Sequence, residues 1–182
     1  VAIVGPSYGG FQAFQWAVNY PDAIKGIAAV VTAPVVPRER SEGNVARLIG
    51  TLSKDPNWNG GDYYDKEQPV AGLTAALKIL TLHANHWDWA VATQGGWAEQ
   101  GKDPGQAFDN KFKIEATLDA AAKARAGVAD ANHFLYLAKA NQLASADAGK
   151  IKAPTLILYT PTDLVFYSPL VEQSGMKILS AQ

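Results

Sequence analysis

The sequence predicts an α/β protein in which a short parallel sheet is interrupted by a large helical insertion. Three observations carry this reading. The chain opens on an apolar run, Val1–Val4, that breaks at Gly5-Pro6-Ser7-Tyr8-Gly9 into an amphipathic segment. A second apolar run, Ile24–Thr32, follows at once, so strand, helix and strand are spaced as in a parallel unit with both strands buried. Strand texture is then absent from 34 to 148 and returns at Thr155–Tyr159.

Taken in order, the first strand ends in Gly-x-Ser-x-Gly, a sharp turn into a helix. Such a turn holds its serine in a strained conformation so that the hydroxyl stands clear of the sheet, and glycines on either side let strand and helix approach. The helix takes its apolar positions from Phe11, Phe14, Trp16 and Val18, and runs from about Tyr8 to Tyr20, where Pro21 stops it. After the second strand, Pro34 and Pro37 break the pattern, and a helical segment opens at Arg38 and runs through Leu52. The stretch Asp55-Pro56-Asn57-Trp58-Asn59-Gly60-Gly61-Asp62-Tyr63-Tyr64 is a loop dense in turn residues. Helices are expected over Val70–His86, with Leu73, Leu77, Leu80 and Ala84 on one face, over Phe112–Ala126 and over Asp130–Leu143. Pro154 suits the start of the third strand, and a helix begins near Leu170. The division is therefore core over 1–33, a helical lid over 34–148 and core again over 149–182. Right-handed crossovers place the strands in the order Val1–Val4, Ile24–Thr32, Thr155–Tyr159.

Composition excludes several function classes. A formal net charge of -1 over 182 residues offers no electrostatic footprint for nucleic acid or an anionic membrane. No apolar run is long enough to span a bilayer. The absence of cysteine excludes disulfides and thiolate metal sites, and no metal is expected. A cytoplasmic location is the default expectation. The first residues lie inside a buried strand and the last, Lys177–Gln182, begin another element, so the sequence reads as an internal stretch of a longer protein. Such a stretch would expose apolar sheet surface and lack turnover by itself.

The chemistry centres on Ser7. A serine hydroxyl needs a base to take its proton and a carboxylate to orient that base. The backbone N–H of Tyr8, at the helix N-terminus, is the oxyanion donor such a turn provides. Asp163 stands just past the third strand, at the edge where Ser7 is expected, with room between them for an imidazole; an aspartate there also serves as a turn cap. The three histidines, His83, His86 and His133, all precede Asp163 and fall in the helical insertion, so none follows the acid as a Ser–Asp–His order requires.

Beyond single residues, GPSYGGFQAFQWAVNYPD, DPNWNGGDYY, DANHFLYLAKAN and APTLILYTPTDLVFYSP together resemble the homoserine O-acetyltransferase family. The resemblance spans nearly the whole chain in the correct order. It implies a partial α/β-hydrolase fold with a helical lid. It also implies that Ser7 carries the acyl group and Asp163 is the triad acid, with acyl-CoA (acetyl-CoA) as co-substrate, no bound cofactor and a small-molecule alcohol as acceptor. In that family a lid helix supplies an arginine and a tyrosine to the substrate. Here Leu77 and Ala84 fall at those positions, which implies an apolar wall and poor use of homoserine, unless Arg38, Arg40 or Arg47 supplies the cation. The same machinery with water as acceptor is an ester hydrolase, and without a base it is a non-catalytic binding protein. A homodimer through the lid is a further expectation.

Overall fold

The computed structural model describes the backbone of residues 1–35 and 38–181, with side chains throughout that span except at 38–41, 93 and 181. The chain forms two compact units, one of residues 1–44 and 138–182, the other of residues 45–137.

The first unit is built on three parallel strands: β1 (Ala2–Pro6), β2 (Gly26–Val30) and β3 (Thr155–Leu158). Their order is β1-β2-β3, as expected, with Pro6 opposite Val30 and Val30 opposite Leu158, so the C-terminal ends of all three lie in one row. Alternation along the strands sorts their side chains to two faces. Ile3, Ile27, Ala29 and Ile157 face α1 (Tyr8–Asn19) and α7 (Ser168–Ala181), where they pack with Ala13, Phe14, Ala17 and Ile178. The opposite face is open: Val4 is 74% exposed, and Leu156 and Leu158 about half exposed. β2 is shorter than the apolar run that announces it. Val31 adopts φ 45°, which a β-branched residue takes only under strain, and there the chain leaves the sheet.

The second unit is helical. It takes in most of α2 (Arg38–Leu52), then α3 (Val70–Ala84), α4 (Trp87–Thr93), α5 (Lys113–Ala126) and the start of α6 (Ala131–Leu143). Ala76, Ala122 and Ala126 are small enough to bring α3 and α5 close, and Leu48, Leu52, Leu73 and Leu77 fill the remaining core. Among the described residues no helix is long and apolar enough to cross a membrane.

A polar hub joins the Trp58–Tyr64 loop to α6. Tyr63 is fully buried. Its hydroxyl donates to Asp130 Oδ2 at 2.6 Å and accepts from the Asn132 N–H at 2.9 Å. Asp130 Oδ1 caps α6 through the His133 N–H at 2.6 Å and also accepts from Tyr64. Asn132 in turn accepts from Trp58 Nε1 and donates to the Gly61 carbonyl. Burial, followed by the bond to Asp130, pushes the Tyr63 phenol up to about 12. For Asp130 burial acts to raise the pKa, but the donors from Tyr63, His133 and Tyr64 outweigh it and hold the carboxyl below its ordinary range.

A carboxylate with a lowered folded pKa stabilises the fold above its unfolded pKa, and that contribution is lost as pH falls through the folded value. Asp119 behaves likewise: donors from Lys111 and then Lys78 hold it at about 2. The helical unit should therefore lose stability between about pH 4 and pH 2. Four of the five tryptophans lie in it, so fluorescence-monitored urea melts report on it. Tyr63→Phe should cost about 1–3 kcal/mol at pH 7, because it strips a partly buried carboxylate and the Asn132 N–H of one partner each. The same variant should show a smaller loss on acidification, and an unchanged melt at both pH values would refute the hub.

Candidate active site

The turn between β1 and α1 forms because nothing but glycine fits at position 5. A Cβ built there would lie 2.2 Å from the Gly9 carbonyl oxygen and 2.4 Å from its carbon. Helix and strand are thus in backbone contact, and the single residue that reverses the chain between them, Ser7, takes φ 47° and ψ -117°. This is a conformation that side chains avoid, held by two backbone bonds. The Ser7 N–H donates to the Val30 carbonyl at 2.8 Å, and the Gly10 N–H donates to the Ser7 carbonyl at 2.9 Å. Ser7 is exposed, so its hydroxyl stands at the surface of the sheet edge. Tyr8 opens α1, and the N–H of a first helical residue has no carbonyl within its own helix to bond. The positive end of the helix dipole lies there too.

Asp163 is five residues past the last residue of β3, after the C-terminal end of its strand as Ser7 is after that of β1. It does act as a turn cap: Oδ1 accepts from the Val165 N–H at 2.7 Å and the Phe166 N–H at 2.8 Å. That leaves Oδ2 without a hydrogen bond among the described residues. The turn carries Phe166 onto Phe11 of α1, with ring centroids 5.7 Å apart, and Phe11 in turn meets Tyr8 edge-on. This aromatic row, with Ala33 and Val171, ties the Asp163 turn to the first turn of the helix that follows Ser7. Cap and candidate acid are compatible roles, because they use different oxygens.

The histidines are all in the helical unit. His86 caps α4 through Nδ1, which accepts from the Asp88 N–H, and His133 is exposed on α6. The lid cations proposed from sequence stand as follows. Arg47 is exposed on α2, and the side chains of Arg38 and Arg40 lie outside the described residues. Lys78 is paired with Asp119, which also holds Lys111 at 2.7 Å. One expectation is overturned. Leu77 is 1% exposed and packs among Leu48, Leu52, Tyr63 and Leu73, so it is a core residue of the helical unit and not an apolar wall. Two residues that sequence reading missed flank the turn: Val31, with its positive φ, and Thr32, fully buried beneath Gly10. In sequence they are the tail of an apolar run, and nothing in VVTAP marks them.

Residues 1–168 match the family model described as the alpha/beta hydrolase fold. The chain belongs to that family. It is 35% identical over 191 residues to a homoserine O-acetyltransferase of Methanosphaerula palustris, covering 99% of this chain and 38% of that protein. It is 32% identical to the Haemophilus influenzae homoserine O-acetyltransferase, covering 97% of this chain and 53% of that one. Among solved structures, the Bacillus anthracis homoserine O-acetyltransferase superposes with a TM-score of 0.87 at 25% identity, over 99% of this chain and 50% of that one. Esterase E22 superposes with a TM-score of 0.88 at 29% identity, over 99% of this chain and 51% of that one. This hydrolase-fold chain therefore spans about half the length of most of these relatives, whose names come from two reaction classes, acyl transfer and ester hydrolysis.

Proposed function

We propose that the chain carries the nucleophile, the acid and one oxyanion donor of a serine acyl-transfer enzyme. The observation that supports this most is the backbone of Ser7: an exposed serine held at φ 47° between a strand and the N-terminus of a helix. In this reading Ser7 Oγ attacks the thioester carbonyl of an acyl-CoA, acetyl-CoA first. The charge on the carbonyl oxygen develops against the Tyr8 N–H, and the C–S bond breaks as CoA leaves with a proton. An alcohol then attacks the acyl-serine and restores Ser7. The base is an imidazole oriented by Asp163 Oδ2. Because the three histidines here all precede Asp163, against the Ser–Asp–His order, and relatives are about twice as long, we place it outside this chain.

Homoserine itself is read as a poor acceptor. The helix expected to hold a carboxylate clamp buries Leu77 and commits Lys78 to Asp119. The second reading, ester hydrolysis, is favoured by the likeness to esterase E22.

The test uses the full-length protein. After mixing with acetyl-CoA and acid quenching, the peptide bearing Ser7 should gain one acetyl group by mass. Ser7→Ala should abolish this and lower kcat by about 10⁴-fold or more. Partition of the acetyl group between neutral alcohols, L-homoserine and water then separates transferase from esterase. An acetyl group found on another residue, or retained in Ser7→Ala, would defeat the proposal.

A further inference from the structure

We infer that Thr32 is a positioning residue for the oxyanion donor of the turn, and that it acts through its methyl group and not its hydroxyl. The inference rests on the acyl-serine reading above. Thr32 is 0% exposed, and its Oγ1 is buried without a hydrogen-bond partner among the described residues. A hydroxyl in that state is a loss to stability, so what the side chain contributes is volume. Part of that volume sits against the Gly10 backbone. A Cβ built on Gly10 would lie 2.2 Å from Thr32 Cγ2 and 2.7 Å from its Cβ and Oγ1. The Thr32 side chain therefore occupies the space directly beside the Gly10 backbone.

Gly10 is two residues into the helix and holds the catalytic peptide. Its N–H donates to the Ser7 carbonyl at 2.9 Å. The Ser7–Tyr8 peptide is planar, so its carbonyl and the Tyr8 N–H point in opposite directions along one rigid unit. Whatever turns the Ser7 carbonyl turns the Tyr8 N–H by the same angle. Thr32 thus bears on Gly10, Gly10 on the Ser7 carbonyl, and the carbonyl on the donor aimed at the developing oxyanion.

The residue before Thr32 shows how it is driven into place. Val31 sits at φ 45°, and its N–H donates to the Leu158 carbonyl at 2.7 Å. The Val30 carbonyl, just before it, takes the Ser7 N–H. The strained bend is therefore anchored on one side to β3 and on the other to the nucleophile. Two backbone strains, at Ser7 and Val31, face each other across the β1–β2 pair, with Thr32 and Gly10 between helix and bend.

The experiment measures the rate of Ser7 acylation in the full-length protein by the release of p-nitrophenolate from p-nitrophenyl acetate, together with kcat and KM for acetyl-CoA. Thr32→Ser removes Cγ2 and keeps the hydroxyl. Thr32→Val keeps the methyl and replaces the unpartnered oxygen. Thr32→Ser should slow acylation and kcat about tenfold at unchanged KM, less than the hundredfold or more that removal of an oxyanion donor costs. Thr32→Val should restore the wild-type rate to within about twofold and melt at a higher temperature than wild type. A purely structural role would lower the melting temperature of Thr32→Ser and leave kcat alone, and that result overturns the inference. So does a Thr32→Val variant as slow as Thr32→Ser, which would make the hydroxyl the working group. If wild type shows no acylation at Ser7, the functional reading falls first, a result separable from either of these.

Discussion

Gly5→Ala is expected to destabilise the α/β unit by about 3 kcal/mol or more, or to prevent its folding. Overpacking a well-filled interior costs about 1–3 kcal/mol when side chains can give way. Here the obstacle is backbone: the new methyl would lie 2.2 Å from the Gly9 carbonyl oxygen, 2.4 Å from its carbon and 2.8 Å from the Gly10 nitrogen. None of these can move without shifting the first turn of α1, which also carries the Gly10 N–H bond to Ser7. Gly9→Ala is the matched control. Its Cβ would meet only Pro6 Cδ, at 3.4 Å, and the position is helical. Alanine there should be neutral or stabilising by up to about 1 kcal/mol. Urea melts of both variants measure the difference. Equal losses at the two positions would show that the close approach lies elsewhere.

That contrast marks how far the sequence could be read. The pattern Gly-x-Ser-x-Gly announces the turn but treats its two glycines alike, whereas only Gly5 is closed to a side chain. Strand identities and order were legible because Val1–Val4, Ile24–Thr32 and Thr155–Tyr159 are short apolar runs whose right-handed crossovers favour the order found. The end of β2 was not, because Val31 and Thr32 continue the run in composition and depart from it only in backbone angle. At the candidate site, chain order and parallel pairing could say only that Ser7 and Asp163 each follow the C-terminal end of a strand. That Asp163 caps its turn through Oδ1, accepting from the Val165 and Phe166 N–H groups, needed coordinates. So did the contact between Thr32 and Gly10, which are far apart in sequence and carry no shared motif. The loop DPNWNGGDYY and the segment DANHFLYLAKAN could each be singled out, but that Tyr63 reaches Asp130 is a tertiary fact.

Leu77→Arg is expected to unfold the helical unit, not to create a binding site for a substrate carboxylate. Two lines of sequence reasoning disagreed about this residue. Apolar periodicity put Leu73, Leu77 and Leu80 on one face of α3, which predicts core. Alignment with the acetyltransferases put Leu77 where that family has a substrate-binding arginine, which predicts an exposed position. Periodicity is right: Leu77 is 1% exposed, in contact with the cluster that holds Leu48, Leu52, Tyr63, Leu73 and Ala76. A guanidinium there would have no carboxylate within that cluster, and the Leu side chain's own burial would be lost as well. Losing a buried leucine alone costs about 2–5 kcal/mol, and an unpaired buried charge adds several more. The sum is of the order of the whole stability of a small domain. Leu77→Met, which conserves volume, should cost less than about 1.5 kcal/mol. Tryptophan fluorescence during urea unfolding reports both, and the Met variant shows whether position 77 tolerates change of shape without change of charge. A folded Leu77→Arg protein with improved L-homoserine turnover would mean that α3 can rotate this position out of the core, and that homoserine specificity is one substitution away.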